Sequence, residues 1–188
     1  MGDPDLMATE VEQLTGVKPQ YVVTTGFGGF EALVDQIGPI TVHSEFAFAD
    51  PAYDLTVTKG PNEMGGKEAT GFARTRKLPG NDFDRMANQQ GLLQAILVQL
   101  RDHEADEGFM ESGALAALQH LDTNLSPLEL YRFAQAISQV DPGRTTTCVL
   151  TGPSDDVDGV GNVVLLDPAH AERVAADAAD NGHLDGGC

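Results

Sequence analysis

Apolar positions recur at helical spacing through most of this chain, broken by short β-branched runs and Gly/Pro punctuation. Met7, Val11 and Leu14 share one face of a predicted helix over 5–14, and Gly16 is placed to stop it. The run YVVTT at 21–25 predicts a short strand buried on both faces. Gly26, Gly28 and Gly29 surround Phe27 and lead into a helix carrying Phe30, Leu33, Val34 and Ile37. With no GxGxxG and no Walker lysine, these glycines predict a tight strand-to-helix turn rather than a nucleotide loop. A strand over 40–43 follows Gly38-Pro39. Strand-like pieces at 46–48 and 55–58, split by Asp50-Pro51, predict a hairpin. Glu45, Asp50 and Asp54 in that region are expected to be solvated loop charges.

A short helix is expected over 67–72. Asn81 then reads as the N-cap of a long helix, with Asp84 in its first turn. That helix is expected to bury Met86, Leu93, Ile96, Leu97 and Leu100, with Arg85 and Gln89 together on a different face. Residues 108–140 read as helical packing: Ala114, Leu115, Leu118 and Leu121 form one stripe. Ser126-Pro127-Leu128-Glu129 is a capping box, and Leu130, Ala134 and Ile137 follow at core spacing. Strands are predicted over 145–151 and 163–166, flanking an acidic loop over 154–161. Pro168 opens a last helix that Asn181-Gly182 ends. Alternating helices and short strands predict a layered α/β domain.

Charge narrows the function. Lys+Arg number 11 against 29 Asp+Glu, a net charge of −18. Such a field repels phosphate backbones and argues against general nucleic-acid or anionic-membrane binding. No stretch approaches the roughly 20 apolar residues of a membrane-spanning helix, and the first residues carry no signal-peptide pattern. Cys148 and Cys188 have no metal spacing. They stand either as two thiols or, in an oxidising compartment, as one disulfide.

Against this acidity, Arg74, Arg76, Lys77 and Arg85 crowd into a dozen residues with Asp82 and Asp84 among them, just ahead of the long helix. Arginine meets phosphate in a fixed bidentate geometry, and a helix start adds free N–H groups and partial positive charge. Arg85 and Gln89, four apart, can donate to one anion; the alternative for Gln89 and Gln90 is plain surface amides. The alternative is a solvated face on which the arginines pair with the local aspartates. No HExxH, CxxC, G-x-S-x-G or nucleophile triad is present, so this stretch is where chemistry is expected.

Five pieces in fixed order carry a resemblance: VEQLTGV (11–17), YVVTTGFGGF (21–30), LVDQIGPI (33–40), GKEATGFARTRK (66–77) and DFDRMANQQ (82–90). Together they resemble the LytR-CpsA-Psr family of cell-wall polymer ligases. The resemblance covers about 8–100; beyond residue 105 it is loose. It implies a layered α-β-α sandwich with a central mixed sheet, the N-terminal part of the domain being absent. Residues 1–105 would be the C-terminal part of the catalytic domain, and 106–188 an extension completing it.

By the same resemblance the chain transfers a phosphate-linked glycopolymer from a polyprenyl (pyro)phosphate carrier to peptidoglycan. That activity is expected to be incomplete in this chain, and the alternatives are a non-catalytic polyprenyl-phosphate-binding module or an inactive fragment. Arg74 and Arg76 match the family's paired arginines facing the phosphates, Asp82 and Arg85 its aspartate and arginine ahead of the long helix, and Gln89 its glutamine. Asn88 stands where the family usually has arginine. Phe27, Phe30 and Leu33 are candidates for the apolar part of the pocket, with ordinary core packing the alternative for each. Mg2+ is the implied cofactor, with ligands expected in the absent N-terminal half. No nucleic acid is expected, and the membrane is met only through the lipid substrate or a missing anchor. The setting is extracytoplasmic, where a Cys148–Cys188 disulfide and two free thiols are equal alternatives. A sheet short of strands exposes edges that a partner or a second copy would complete.

Overall fold

The computed structural model describes residues 3–80, 82–181 and 184–185. The element order is α1 (Pro4–Thr15), β1 (Val23–Thr25), α2 (Phe27–Ile37), β2 (Ile40–Ser44), β3 (Phe48–Asp50), β4 (Leu55–Val57) and β5 (Gly60–Met64). Then come α3 (Gly66–Arg74), α4 (Asp82–Asp102), α5 (Phe109–His120), β6 (Leu121–Thr123), α6 (Pro127–Ser138), a 3-10 turn (Pro142–Arg144), β7 (Ser154–Val157), β8 (Gly161–Val164) and α7 (Pro168–Asn181).

The chain divides into two compact units. One comprises residues 1–22 and 146–188, the other residues 23–145. In the first, α1 is capped by the Asp3 side chain and closed by Gly16 in the left-handed region, φ 69°. It packs on α7. The larger unit holds the main core: Val34 and Ile37 of α2, Ile40 and Val42 of β2, Leu55 and Val57 of β4, Met64, Phe72 of α3, and Leu92 and Ala95 of α4. Along β2 burial alternates, with Ile40, Val42 and Ser44 inward and Thr41 and His43 outward, as the period-2 pleat requires. No described helix is long and apolar enough to cross a membrane.

The α/β class is as read from the sequence, but the sheet differs from the single central mixed sheet expected. The described strands form four antiparallel two-stranded ladders: β1–β6, β2–β5, β3–β4 and β7–β8. β5 (GPNEM) was missed because it lacks β-branched residues; β2 templates it, from Ile40↔Met64 to Ser44↔Gly60. β1 is not buried on both faces, since β6 is its one ladder partner and Val23 is 45% exposed. Residues 145–151 form no strand, because threonine-rich sequence favours extended backbone without supplying a partner ladder. The expected acidic loop instead opens as β7 and turns through Gly159 and Gly161, both at positive φ, into β8. On α5 the stripe is displaced: Met110, Ala116 and Ala117 are buried while Leu115 and Leu118 are exposed. Small residues win that face because α2 comes close; a Cβ on Gly113 would sit 3.8 Å from Ile37. The expected capping box at Ser126–Glu129 is present. The Asn81 cap and the Gly182 stop lie outside the described residues.

Candidate functional site

Two features of the larger unit face chemistry. The first is built where α3 ends. Arg74, in the last turn of α3, stacks its guanidinium 3.8 Å over the Phe27 ring and 4.9 Å from the Tyr53 ring centroid. Phe27 is the first residue of α2, whose N-cap Gly26 offers no side-chain hydrogen bond. The Arg74 cation therefore lies beside a helix start whose N–H groups no N-cap side chain satisfies. Gly29 is required there, since a Cβ would meet Thr25 Oγ1 at 2.6 Å and the His120 carbonyl at 2.7 Å.

Arg76 and Arg85 converge on one carboxylate. Asp82 Oδ1 lies 2.9 Å from Arg76 Nε and 3.0 Å from Arg85 Nη2. These are ion-pair contacts without hydrogen-bond geometry, and Arg85 Nε is buried with no hydrogen-bond partner. The aspartate-paired reading thus describes Arg76 and Arg85, while Arg74 sits on aromatic rings instead. Asp82 is thus one carboxylate between two guanidiniums, those of Arg76 and Arg85.

Between the two arginines, Thr75 is 1% exposed and donates its hydroxyl to Asp50 Oδ2 at 2.7 Å. Asp50, itself 2% exposed, also accepts from the Ala52 N–H. Asp50 is therefore no solvated loop charge. It fastens the β3–β4 turn to the backbone that carries the arginine pair. The Asp-Pro turn signal at Asp50-Pro51 marked the turn, but nothing in sequence linked it to Thr75. Asp54 fits the expectation better, exposed and 3.4 Å from Lys67 Nζ. Gln89 Nε2 donates to the Ala73 carbonyl at 3.0 Å and Asn88 Nδ2 to the Phe72 carbonyl at 3.3 Å. With Thr75 N–H on the Gly71 carbonyl, these side chains satisfy the carbonyls that α3 leaves free at its end. One of the two N–H donors of Gln89 is thus committed to the fold.

The second feature is a cavity of about 310 Å³ with almost wholly apolar walls. Phe30, Leu33 and Ile37 of α2 and Leu93, Ile96 and Leu100 of α4 line it, closed by residues of α5 and α6 such as Ala117 and Phe133. Leu93 is 62% exposed because it faces this opening rather than the core; the core side of α4 is Leu92 and Ala95. Arg85 and Gln89 share the Leu/Ile face after all. At 100° per residue, positions 85, 89, 93, 96 and 100 fall within one stripe about 80° wide. The stripe is cationic and polar at the start of α4 and apolar where it walls the cavity.

The described carboxylates do not suit magnesium. No three His, Cys, Asp or Glu side chains gather among the described residues. Asp82 is taken by arginines, Asp50 by Thr75 and Ala52, and Asp84 by the Gly80 N–H at 2.7 Å. Hard divalent cations need several free oxygens at once. Cys148 is disulfide-bonded; Cys188, its expected partner, lies outside the described residues.

The chain is similar to the probable cell wall biosynthesis protein LcpB of Corynebacterium glutamicum, 31% identical over 97 residues, 52% of this chain and 23% of LcpB. It is 35% identical over 97 residues to the polyisoprenyl-teichoic acid–peptidoglycan teichoic acid transferase TagU of Bacillus subtilis, 51% of this chain and 31% of TagU. The matched stretch thus spans about a quarter to a third of these relatives. Among solved structures, B. subtilis TagV superposes with TM-score 0.81 at 23% identity over 96% of this chain and 71% of TagV. TagT bound to LI-WTA matches with TM-score 0.71 at 22% identity, over 95% and 67%. These two show the shared fold. The sequence profile of the LytR_cpsA_psr family matches residues 1–179, and the chain belongs to that family.

Proposed function

We propose that this chain is the phosphate- and lipid-holding part of a cell-wall glycopolymer–peptidoglycan phosphotransferase, acting on a polyprenyl-(pyro)phosphate-linked polymer. The observation that carries this is the single stripe on α4, with Arg85 and Gln89 at one end and Leu93, Ile96 and Leu100 walling an apolar cavity at the other. A lipid phosphate has that same order of charge and hydrocarbon. Arg74, Arg76 and Arg85 would take the phosphate oxygens, each charge-assisted bond contributing roughly 1.5–3 kcal/mol. Asp82 would hold the guanidiniums of Arg76 and Arg85 in place. The cavity would take isoprene units, whose burial stabilises at about 0.8 kcal/mol per CH₂.

The reaction needs an acceptor hydroxyl to attack phosphorus. A new P–O bond forms to the acceptor oxygen, whose proton passes to solvent, and the P–O bond to the polyprenyl phosphate breaks, that phosphate leaving with the electron pair. Positioning and stabilisation of equatorial charge supply most of the catalysis in such transfers, which suits an arginine cluster. The name of TagU supports a teichoic-acid-type polymer and peptidoglycan as partners, and the setting proposed for the reaction is the outer face of the cell membrane. The second reading, lipid-phosphate binding without transfer, is favoured by the engagement of the nearby carboxylates within the chain itself. Incubating the chain with lipid-linked polymer and peptidoglycan separates the two. Polymer attachment with matching release of polyprenyl phosphate supports transfer; binding without release supports the module.

A further inference from the structure

The three arginines are held in two different ways. Arg76 and Arg85 share the Asp82 carboxylate, which offsets part of their charge. Among the described residues the Arg74 guanidinium has neither an ion-pair nor a hydrogen-bond partner; what it touches are ring faces, Phe27 at 3.8 Å and Tyr53 at 4.9 Å to the centroids. A carboxylate occupies guanidinium N–H groups and cancels charge, whereas a ring face attracts the same cation and does neither. Arg74 therefore keeps its charge, and the five N–H donors of an arginine side chain stay open to an incoming oxyanion.

Neither ring contact is incidental to the fold. Phe27 is 59% exposed and is not among the side chains that line the apolar cavity, as Phe30 and Leu33 are, so neither the core nor that cavity accounts for it. Tyr53 rides on the β3–β4 turn, which is fixed from both sides. Its N–H donates to the Asp50 carbonyl at 3.1 Å, and the Asp50 carboxylate accepts from the hydroxyl of Thr75, the neighbour of Arg74. Asp54, next in the turn, takes the left-handed region at φ 52°, where aspartate is one of the few side chains tolerated. Gly71 lets this turn close on α3, since a Cβ there would lie 2.9 Å from Tyr53 Cβ. Gly71 and Arg74 are three apart and share a helix face, so the approach that seats Tyr53 at Gly71 also delivers its ring to Arg74.

We propose that Phe27 and Tyr53 are positioning residues for Arg74: their rings hold the guanidinium in place for an oxyanion without neutralising it. The identity of that anion as a lipid phosphate rests on the phosphotransfer reading; the anchoring of Arg74 by the rings does not.

Calorimetric titration of the full chain with inorganic pyrophosphate tests this. Phe27→Leu is expected to weaken binding about fivefold and Tyr53→Leu about threefold, each through a lost cation–π contact. Tyr53→Phe, which keeps the ring face, should bind as the parent does. Phe27→Leu should melt within a few degrees of the parent, because the ring is exposed. In an Arg74→Ala background Phe27→Leu should weaken the residual binding no further, a coupling that a general loss of packing does not produce. In NMR of the isotope-labelled chain the Arg74 Nε–H proton should resonate upfield under the two ring currents and move downfield in Phe27→Leu, with or without pyrophosphate. A parent that binds no pyrophosphate overturns the phosphate reading and this inference together. A parent that binds, with Phe27→Leu equal to it or with equal losses in both backgrounds, overturns this inference alone, as does an Arg74 Nε–H resonance that Phe27→Leu leaves unmoved.

Discussion

Thr75→Val perturbs a buried bond that fastens the backbone carrying the arginine pair. Thr75 and Asp50 are 1% and 2% exposed, and their hydroxyl–carboxylate bond is 2.7 Å. Valine has nearly the same shape, so no cavity opens; what is lost is a partner for a buried carboxylate oxygen. Hydrogen bonds to charged groups contribute roughly 1.5–3 kcal/mol, and the Lys77 N–H also loses the Thr75 hydroxyl at 3.2 Å. About 2 kcal/mol is therefore expected, a substantial part of the roughly 5–15 kcal/mol that stabilises a domain. At about 3–5 °C per kcal/mol for a unit of this size, the melting temperature should fall by roughly 6–10 °C. Thermal denaturation followed by circular dichroism measures it, with Thr58→Val as control, since its hydroxyl bonds Asn62 on an exposed turn. The control should cost less than about 0.5 kcal/mol. Binding of inorganic pyrophosphate to the folded variant should weaken several-fold as Arg74 and Arg76 lose their anchored backbone. A variant that melts with the parent refutes the stabilising role; one that melts lower but binds pyrophosphate unchanged refutes the positioning role.

Other expectations follow from separate contacts. Gly66→Ala places a Cβ within 2.7 Å of Glu31 Cα, where the backbone of α2 cannot yield, and should destabilise by about 2–3 kcal/mol in a urea melt. Leu93→Glu, at a side chain 62% exposed into the apolar cavity, should leave the melting point within a few degrees yet abolish binding of a polyprenyl phosphate. The Glu129 carboxylate is held below its ordinary range, chiefly by the Ser126 side-chain hydrogen bond and then by the Ser126 backbone. Its folded value being depressed, the capping box stabilises α6 above the ordinary carboxylate value of 4.5 and is lost as pH falls through the lower folded value. Glu129→Gln should flatten that part of the acid-unfolding curve; an unchanged curve counts against the assignment.

Elements with strong local signals were legible in the sequence. The capping box at Ser126–Glu129, the Gly16 stop and the glycine turn before α2 each depend on residues adjacent in the chain. The arginine cluster was legible as a departure from the chain's overall charge. Features set by tertiary partners were not. β5 exists because β2 pairs with it, and Asp50 is buried because Thr75, distant in sequence, bonds it. The two faces of α4 were confused for a related reason. Leu92 and Leu93 are both apolar, and only the packing of other helices decides which faces the core and which faces a cavity. Spacing to Arg85 left Gln89 open as an anion donor or a surface amide, and the resemblance implied the former; its amide closes the end of α3, which spacing along one helix cannot reveal.

Titration of the full chain with polyprenyl pyrophosphate, beside an Arg74→Ala/Arg76→Ala variant and free pyrophosphate, is the most direct test of a site with a cationic end and an apolar end. The lipid should bind at least tenfold more tightly than pyrophosphate, and the double variant should lose most of that affinity while melting close to the parent. Equal lipid binding by parent and variant, or no gain from the isoprenoid chain, would contradict it.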